Sequence, residues 1–210
     1  MSTSTPYTMS NTANLNLRMD EESSEEKPGN SSFMDEKLFN SRSISIFGSI
    51  NERVARTVTH QLLALAAEND DPITIYISSP GGHVESGDVV YDMIKFIKPE
   101  VRVVGTGWVA SAATTIYLAA KKENRYSLPN TRYLVHQPSG GSRGDATDIS
   151  IQAEQILKTK KRVNKMISDE TGRPLEQVEK DTDRDYWMSP EEAIEYGIVA
   201  KVISSVSELD

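Results

Sequence analysis

Residues 72 to 107, "PITIYISSPGGHVESGDVVYDMIKFIKPEVRVVGTG", contain two strand-like segments with a helical segment between them. The segments 72–79 and 101–107 are short, rich in Ile and Val, and bounded by Gly or Pro, which is typical of buried strands. Apolar residues at helical spacing mark the intervening helix, which ends before Pro99: Val89, Val90, Met93, Ile94 and Ile97. Strands that alternate with helices are typical of βαβ units. The stretch therefore predicts an α/β fold with a buried, parallel sheet.

The same alternation continues toward the N-terminus. The segment "SISIFGSI" (43–50) has the two-residue apolar period of a strand. A helix follows, and its apolar face consists of Val54, Val58, Leu62 and Leu65. His60 lies on the opposite face of that helix, so we expect an exposed histidine without a chemical role.

The C-terminal half contains another strand, "RYLVH" (132–136), and then a long helix from about Ala146 to Asp169. The apolar stripe of this helix consists of Ile149, Ala153, Ile156, Val163 and Ile167. A helix of this length carries more apolar surface than the core of one small domain absorbs, so we expect part of it to pack against another subunit.

The segment "SPEEAIEYG" (189–197) has the signals of a complete short helix. Ser189 is placed to cap its N-terminus, Pro190 fits the first helical position, and Glu192 completes a capping box. Gly197 is a typical helix stop. We therefore interpret these four residues as structural.

Composition excludes several classes of function. With 210 residues the chain is long enough for one domain, and its net charge of −8, with no run of Lys and Arg longer than three residues, argues against nucleic-acid binding. It has no cysteine, which rules out disulfides, zinc–thiolate sites and thiol catalysis. No apolar run reaches the roughly 18 residues of a membrane span, and the N-terminus lacks the apolar segment of a secretory signal. We therefore expect a cytoplasmic protein.

Residues 1 to 32 differ in composition from the rest of the chain. They are rich in Ser, Thr and Asn, contain the acidic cluster "DEESSEE", and show no apolar period. Such a segment cannot bury enough surface to offset its ordering entropy. We expect 1–32 to be a disordered acidic tail or a propeptide, and residues 33–210 to form the domain.

A single hydroxyl stands out in "GWVASAATTIYLAA" (107–120), where Ser111 lies among small and apolar residues just after a predicted strand. Serine is among the commonest residues that cap a helix N-terminus, and the following residues could continue as a helix. The alternative is that Ser111 is a nucleophile, which requires a base. At this point both interpretations remain open.

The chain offers three histidines as possible bases. His136, in "LVHQPSGG", lies at the end of an apolar strand and before a loop, where open α/β sheets expose functional groups. His83 follows the turn "SPGG", whose Gly81 and Gly82 could bring free backbone N–H groups close to a ligand and stabilise an oxyanion. A plain β-turn explains the same residues.

Three longer stretches together resemble the Clp protease proteolytic subunit (ClpP) family. They are "YISSPGGHVESGDVVYDMIKFIKPEV", "VASAATTIYLAAKKENRYSLPNTRYLVHQPSGGSRGDATDI" and "LEQVEKDTDRDYWMSPEEAIEYGIV", and the resemblance runs in unbroken order from about Ser43 to Ser204. It implies a crotonase-like βαβ fold with a protruding handle helix, assembled into two stacked heptameric rings that enclose the active sites. It also implies a serine endopeptidase for unfolded polypeptides, without a metal or organic cofactor.

The resemblance assigns roles to individual residues. It makes Ser111 the nucleophile, His136 the base and Asp185, in "DRDYWM", the acid. The N–H groups of Gly82 and Ala112 would form the oxyanion hole, where the family usually has Met-Gly rather than Ala112-Ala113 after the nucleophile.

Further roles concern assembly. The helix from Ala146 onward matches the handle that joins the rings, and Arg184 matches a position that couples ring contacts to the catalytic site. Tyr76 and Phe96 match positions that dock a loop of an AAA+ unfoldase of the ClpX or ClpA type. The acidic N-terminal segment does not resemble the apolar axial hairpin usual in the family.

Two other functions stay open at this stage. The crotonase-like fold also carries acyl-CoA hydratases and isomerases, which share an oxyanion hole but need no Ser-His-Asp set. The family also includes catalytically weak or silent subunits of mixed rings, which typically lose a member of that set. This chain has all three residues, which favours the peptidase.

Overall fold

The computed structural model describes residues 28 to 209, and their side chains from Phe33 onward. Its first helix, α1 (Pro28–Asn40), begins ahead of the change in composition at Phe33. The expectations for residues 1 to 27 lie outside the described residues, so the disordered tail stays a prediction.

The strands of the described chain form one sheet, as the alternating pattern predicts. They are β1 (Ser43–Phe47), β2 (Ile73–Ser79), β3 (Val101–Ala110), β4 (Arg125–Ser127), β5 (Arg132–Val135), β6 (Tyr186–Met188) and β7 (Lys201–Val202). The main path is β1-β2-β3-β4-β7, and β5 branches from the far end of β3 to pair with β6. All pairs are parallel except β5 with β6, which are antiparallel. The expectation of a parallel sheet therefore fails at one pair, because β6 runs in the opposite direction to β5.

Helices connect these strands. After α1 they are α2 (Glu52–Glu68), α3 (Val84–Phe96), α4 (Ala112–Leu118), α5 (Ala146–Thr171), α6 (Leu175–Asp181) and α7 (Pro190–Tyr196). Single turns of 3₁₀-helix lie at Lys122–Asn124 and Val206–Glu208. Among the described residues, no helix is both long and apolar enough to cross a membrane.

The core lies between the helices and the sheet. In β2 the three isoleucines are fully buried, as expected for a central parallel strand. The predicted stripe of α2 faces this core, with Val58, Leu62 and Leu65 buried and Val54 half-buried. His60 is exposed on the other face, as its spacing predicts.

The apolar residues of α5, those of the predicted stripe and others beside it, differ in burial along the helix. Near the C-terminal end, Val163 and Ile167 are buried in the core. Toward the N-terminal end, Ile149, Ile151 and Leu157 are 45%, 49% and 59% exposed. The first half of α5 therefore extends beyond the domain with apolar side chains in contact with solvent.

The short helix α7 has the caps that its sequence predicts. Ser189 accepts a hydrogen bond from the Glu192 N–H, and the Glu192 carboxylate accepts one from the Ser189 N–H at 2.7 Å. Gly197 ends the helix with φ at 95°, a left-handed conformation that favours glycine. These residues stabilise α7, and through it they support β6.

Candidate active site

Ser111 links β3 directly to α4 in a strained backbone conformation. Its φ of 57° and ψ of −123° lie outside the regions that non-glycine residues ordinarily occupy. The residue occupies the N-cap position of α4, but its side chain makes no capping hydrogen bond. Strain of this kind at a strand-to-helix turn is typical of an exposed nucleophile. The structure therefore places Ser111 at a cap position without using its hydroxyl as a cap.

The Ser111 hydroxyl instead belongs to a chain of hydrogen bonds. Ser111 Oγ lies 2.8 Å from His136 Nε2, and His136 Nδ1 lies 2.9 Å from Asp185 Oδ1. The carboxylate accepts a hydrogen bond, so Nδ1 carries the imidazole proton and Nε2 is free to accept from the hydroxyl. This arrangement can remove the hydroxyl proton when Ser111 attacks an electrophile.

Sheet register explains why these three side chains meet. β3 pairs with β5 through Ala110 and Leu134, so both strands end at the same edge of the sheet. β5 pairs with β6 in the opposite direction through Val135 and Tyr186. The residue before β6 therefore lies beside the residue after β5, and these residues are Asp185 and His136.

A buried hydroxyl beside Ser111 joins the ends of β3 and β5. Thr114 Oγ1 donates to the carbonyl of Val109 at 2.9 Å and to that of Leu134 at 2.8 Å. The Ser111 N–H also donates to Leu134 O, at 3.0 Å. These bonds hold the nucleophile turn against the strand that leads to His136.

The Gly81-Gly82 turn packs directly against the nucleophile. Gly81 N–H donates to Ser79 Oγ at 3.0 Å, and the Gly81 carbonyl accepts from the Ile50 N–H at 2.8 Å. A Cβ added to Gly81 would lie 2.6 Å from both Ala110 O and Ser111 Cβ. Gly81 therefore allows the turn to pack closely against the backbone of Ala110 and Ser111, and the approach of this turn to a ligand stays a prediction.

Two backbone N–H groups lie at the turns that meet beside Ser111. Those of Gly82 and Ala112 donate none of the turn, loop and cap hydrogen bonds between backbone groups of residues 28 to 209. Ala112 N lies 3.0 Å from where a Cβ of Gly81 would stand, so the turn and the start of α4 are adjacent. The family resemblance assigns both N–H groups to an oxyanion hole, and this assignment stays a prediction.

Replacing Gly81 with alanine is expected to damage both the fold and the site. The new Cβ would collide with Ala110 O and Ser111 Cβ, and φ at Gly81 is 90°, so we expect a loss of at least about 2 kcal/mol of stability. Chemical denaturation measures this loss, and the rate at which a fluorophosphonate labels Ser111 reports on the site.

Gly141→Ala is the matched control for that experiment. A Cβ at Gly141 meets no atom within 4 Å, so we expect a change in stability within about 0.5 kcal/mol. Equal stabilities of the Gly81→Ala and Gly141→Ala proteins would show that the close approach at the turn has no energetic role.

A small, mainly apolar pocket opens beside Ser111, with a cavity volume of ≈ 20 Å³. It is lined by Val84, Ser111, Ala112, Thr114, Thr115, Val135, His136, Pro138, Val163 and Ile167. The surface next to the Ser111 hydroxyl is therefore largely apolar. In the part of the chain described, no group of three or more His, Cys, Asp or Glu residues could hold a metal ion.

The other predicted site residues lie outside this hydrogen-bond chain. Arg184 is next to Asp185 in sequence, but its own contacts are with Asp183, and its side chain is 86% exposed. Tyr76 packs against a small separate cluster that includes Val104, and Phe96 is 79% exposed. The structure therefore gives these three residues no contact with Ser111 or His136.

His83 has contacts of its own. Its Nδ1 lies 2.8 Å from Ser86 Oγ and its Nε2 lies 3.1 Å from the Glu85 carboxylate. It begins α3 directly after Gly82. His136 is therefore the histidine that the structure pairs with Ser111.

Sequence reasoning missed the residues that support the site. Gln137 and Lys160 form hydrogen bonds next to His136 and Asp185, and Ser79 and Thr114 hold the two turns that meet at Ser111. The position of Gln137 directly after His136 is a signal that could have been used. The partners of Lys160 have no signal in the local sequence, since they lie in other elements.

Comparisons with known proteins point to one family. The family model described as Clp protease matches residues 26–206. The chain is 58% identical over 172 residues to the ATP-dependent Clp protease proteolytic subunit 3 of Rhizobium etli, covering 82% of this chain and 89% of that protein. It is 49% identical over 168 residues to the corresponding subunit 2 of Pseudomonas aeruginosa, covering 80% and 84%.

A solved structure, ClpP1 from Listeria monocytogenes, shares the fold with a TM-score of 0.76 at 52% identity. The alignment covers 84% of this chain and 99% of that one. The expected ClpP-like α/β fold is therefore confirmed. The chain belongs to the Clp protease family, and it is a peptidase subunit of that family.

Proposed function

We propose that this chain is a serine endopeptidase that cleaves unfolded polypeptides, with Ser111 as nucleophile, His136 as general base and Asp185 as the acid that orients it. The observation that carries the proposal is the continuous hydrogen-bond chain from Ser111 Oγ through the His136 ring to Asp185. The strained backbone of Ser111 supports it, because that strain presents the hydroxyl instead of using it as a helix cap.

The first half of the reaction forms an acyl-enzyme. His136 Nε2 takes the hydroxyl proton as Ser111 Oγ attacks the carbonyl carbon of the scissile peptide. The carbonyl oxygen becomes an oxyanion, for which the N–H groups of Gly82 and Ala112 are the proposed donors. The imidazolium then gives its proton to the leaving amine, the C–N bond breaks, and the acyl group remains on Ser111.

The second half uses water in place of the amine. His136 removes a proton from water, whose oxygen attacks the acyl carbon. Collapse of the second tetrahedral intermediate breaks the bond to Ser111 Oγ, which recovers its proton from His136. Asp185 holds the imidazole in one tautomer throughout. Ala112-Ala113 stands where the family usually has Met-Gly, but the backbone N–H of residue 112 is still present. Stabilisation of the oxyanion by that N–H is therefore retained in this mechanism.

We further propose that the subunits form two stacked heptameric rings, either of one chain or mixed with a paralogue, in the cytoplasm. The exposed apolar half of α5 supports this, because it provides surface for a second subunit. Arg184 is the proposed link between ring contacts and the site.

The names of the relatives include "ATP-dependent", which supports an AAA+ unfoldase as a partner. Tyr76 and Phe96 are the proposed docking residues for that unfoldase, and the side chain of Phe96 is exposed.

The isolated protein is expected to cleave short peptides but not a stably folded protein. The chain contains no G-x-x-x-x-G-K-[ST] loop, so nothing in it indicates a use of ATP to unfold a substrate. Enclosed sites would admit only small peptides or extended chains. Degradation of a tagged, folded fluorescent reporter is measured with this protein alone, with a ClpX-type or ClpA-type unfoldase, and with unfoldase plus ATP.

Each arm of that experiment decides a separate point. Degradation that needs both unfoldase and ATP supports the enclosed chamber. Rapid loss of the folded reporter without an unfoldase would contradict it. Absence of stimulation by both unfoldase types would contradict the docking assignment of Tyr76 and Phe96.

A further inference from the structure

Asp185, which is proposed to orient the base His136, has an unusually exposed side chain for that role. Its side chain is 63% exposed, and its partner His136 is 25% exposed. An ion pair or hydrogen bond at such exposure contributes only about 0–1 kcal/mol, so it fixes the position of the Asp185 carboxylate only weakly. The position of Asp185 must therefore be set by other contacts of the segment that precedes β6.

Gln137 provides two of these contacts, one through its backbone and one through its side chain. Its N–H donates to the carbonyl of Thr182 at 2.6 Å, and its side-chain amide donates to the carbonyl of Asp183 at 2.7 Å. Gln137 directly follows His136, and Asp183 lies two positions before Asp185. One residue thus ties the end of the strand that carries the base to the segment that carries the acid.

Helix α5 fixes the same junction from a third side. Lys160 Nζ donates to Gln137 Oε1 at 2.9 Å and lies 3.7 Å from the Asp183 carboxylate. One turn after Lys160, the side-chain oxygen of Asn164 lies 3.0 Å from the hydroxyl of the fully buried Thr182, whose one proton is shared between Asn164 and the carbonyl of Val178. The Lys160 side chain is only 28% exposed, so its contacts are better shielded than an ordinary surface pair.

We propose that Gln137 and Lys160 are positioning residues for the reaction: together they hold the Asp185 segment against the end of β5, so that the carboxylate stays on His136 Nδ1. Neither touches the reacting atoms. The Lys160 ammonium can only donate a hydrogen bond, so it binds the oxygen of the Gln137 amide. This fixes the orientation of the amide and directs its N–H₂ toward Asp183 O. This proposal rests on the proposed peptidase function.

The test compares Lys160→Met, Lys160→Arg and Gln137→Ala in peptide cleavage by the assembled full-length protein. Loss of either contact should lower kcat about tenfold and leave KM within about twofold, because the pocket for the substrate is unchanged while the base is misplaced. Lys160→Arg keeps a donor near Gln137 and should restore most of the rate. Lys165→Met is the control, since Lys165 forms only an exposed pair with Asp169 on the same helix.

The rate per active site separates positioning from a merely structural role. Fluorophosphonate titration counts the reactive Ser111 sites of each variant, so that kcat is expressed per site. Loss of folded enzyme would lower the number of reactive sites and leave kcat per site unchanged. A displaced Asp185 carboxylate should instead lower kcat per site, because His136 is no longer held in position.

Three results would overturn the proposal: kcat of Lys160→Met within twofold of wild type, an equal defect in Lys160→Arg, or a kcat per titrated site in Gln137→Ala within twofold of wild type. If Lys160→Met fails to assemble, Gln137→Ala decides alone. Failure of the proposed function looks different, because the Ser111→Ala protein would then still cleave the peptide.

Discussion

The Ser111→Ala protein is expected to lose peptide cleavage by at least about 10³-fold while it assembles and melts like wild type. The hydroxyl is the group that would attack the peptide. Among the described residues, its hydrogen bond is the one to His136 Nε2. Removing one half-exposed oxygen forms no cavity in the core, so little packing is lost. Cleavage of a fluorogenic peptide, the particle mass and the melting temperature are measured on one preparation.

Labelling adds a direct check on that result. A fluorophosphonate should label wild-type protein at Ser111 and leave the Ser111→Ala protein unlabelled, whereas Ser204→Ala, which alters an exposed serine near the C-terminus, should react normally. Cleavage by Ser111→Ala near the wild-type rate would refute the serine peptidase. Wild-type protein that assembles but neither cleaves nor reacts would instead support a silent ring subunit.

The Arg125→Met protein is expected to lose about 3–5 kcal/mol of stability, because Arg125 is a buried charge that donates to three backbone carbonyls and forms an ion pair with Glu170. Its side chain is 1% exposed. The guanidinium donates to the carbonyls of Ala120, Leu118 and Glu170 at 2.7 to 2.8 Å and to the Glu170 carboxylate at 2.5 Å. It therefore joins the end of α4 to α5 across the start of β4.

Glu170 remains charged when this pair is broken. Burial would raise the pKa of Glu170, but hydrogen bonds from Lys95 and Tyr91 and the charges of Lys95 and Arg125 outweigh it and hold that pKa below its ordinary value. The loss of Arg125 thus leaves a partly buried carboxylate and three carbonyls short of a donor.

Urea denaturation of the Arg125→Met protein measures the loss, with two comparison variants. Arg125→Lys keeps the charge but cannot reach every acceptor, so an intermediate stability is expected. Lys122→Met changes an exposed residue and should stay within about 0.5 kcal/mol of wild type. If Arg125→Met were as stable as Lys122→Met, the buried network would make no net contribution to the fold.

Local sequence determined much of this protein by itself. The βαβ pattern around residues 72 to 107, the caps of α7 and the position of Ser111 at the end of a strand depend on residues close together in the chain. Short-range periodicity and turn chemistry are visible in sequence for that reason. The resemblance to a family then assigned Asp185, which no local pattern singles out.

The tertiary structure alone decided which side chains meet. His136 lies 25 positions after Ser111, and Asp185 lies 49 positions after His136, so their contact depends on the pairing of β3, β5 and β6. The burial of Arg125 and the contact of Lys160 with Gln137 depend on where α5 packs. Arginine and lysine are usually exposed, so sequence alone favours a surface position for both. Strand register and helix packing reverse that expectation, because they bring carbonyl and carboxylate groups from distant segments to each cation.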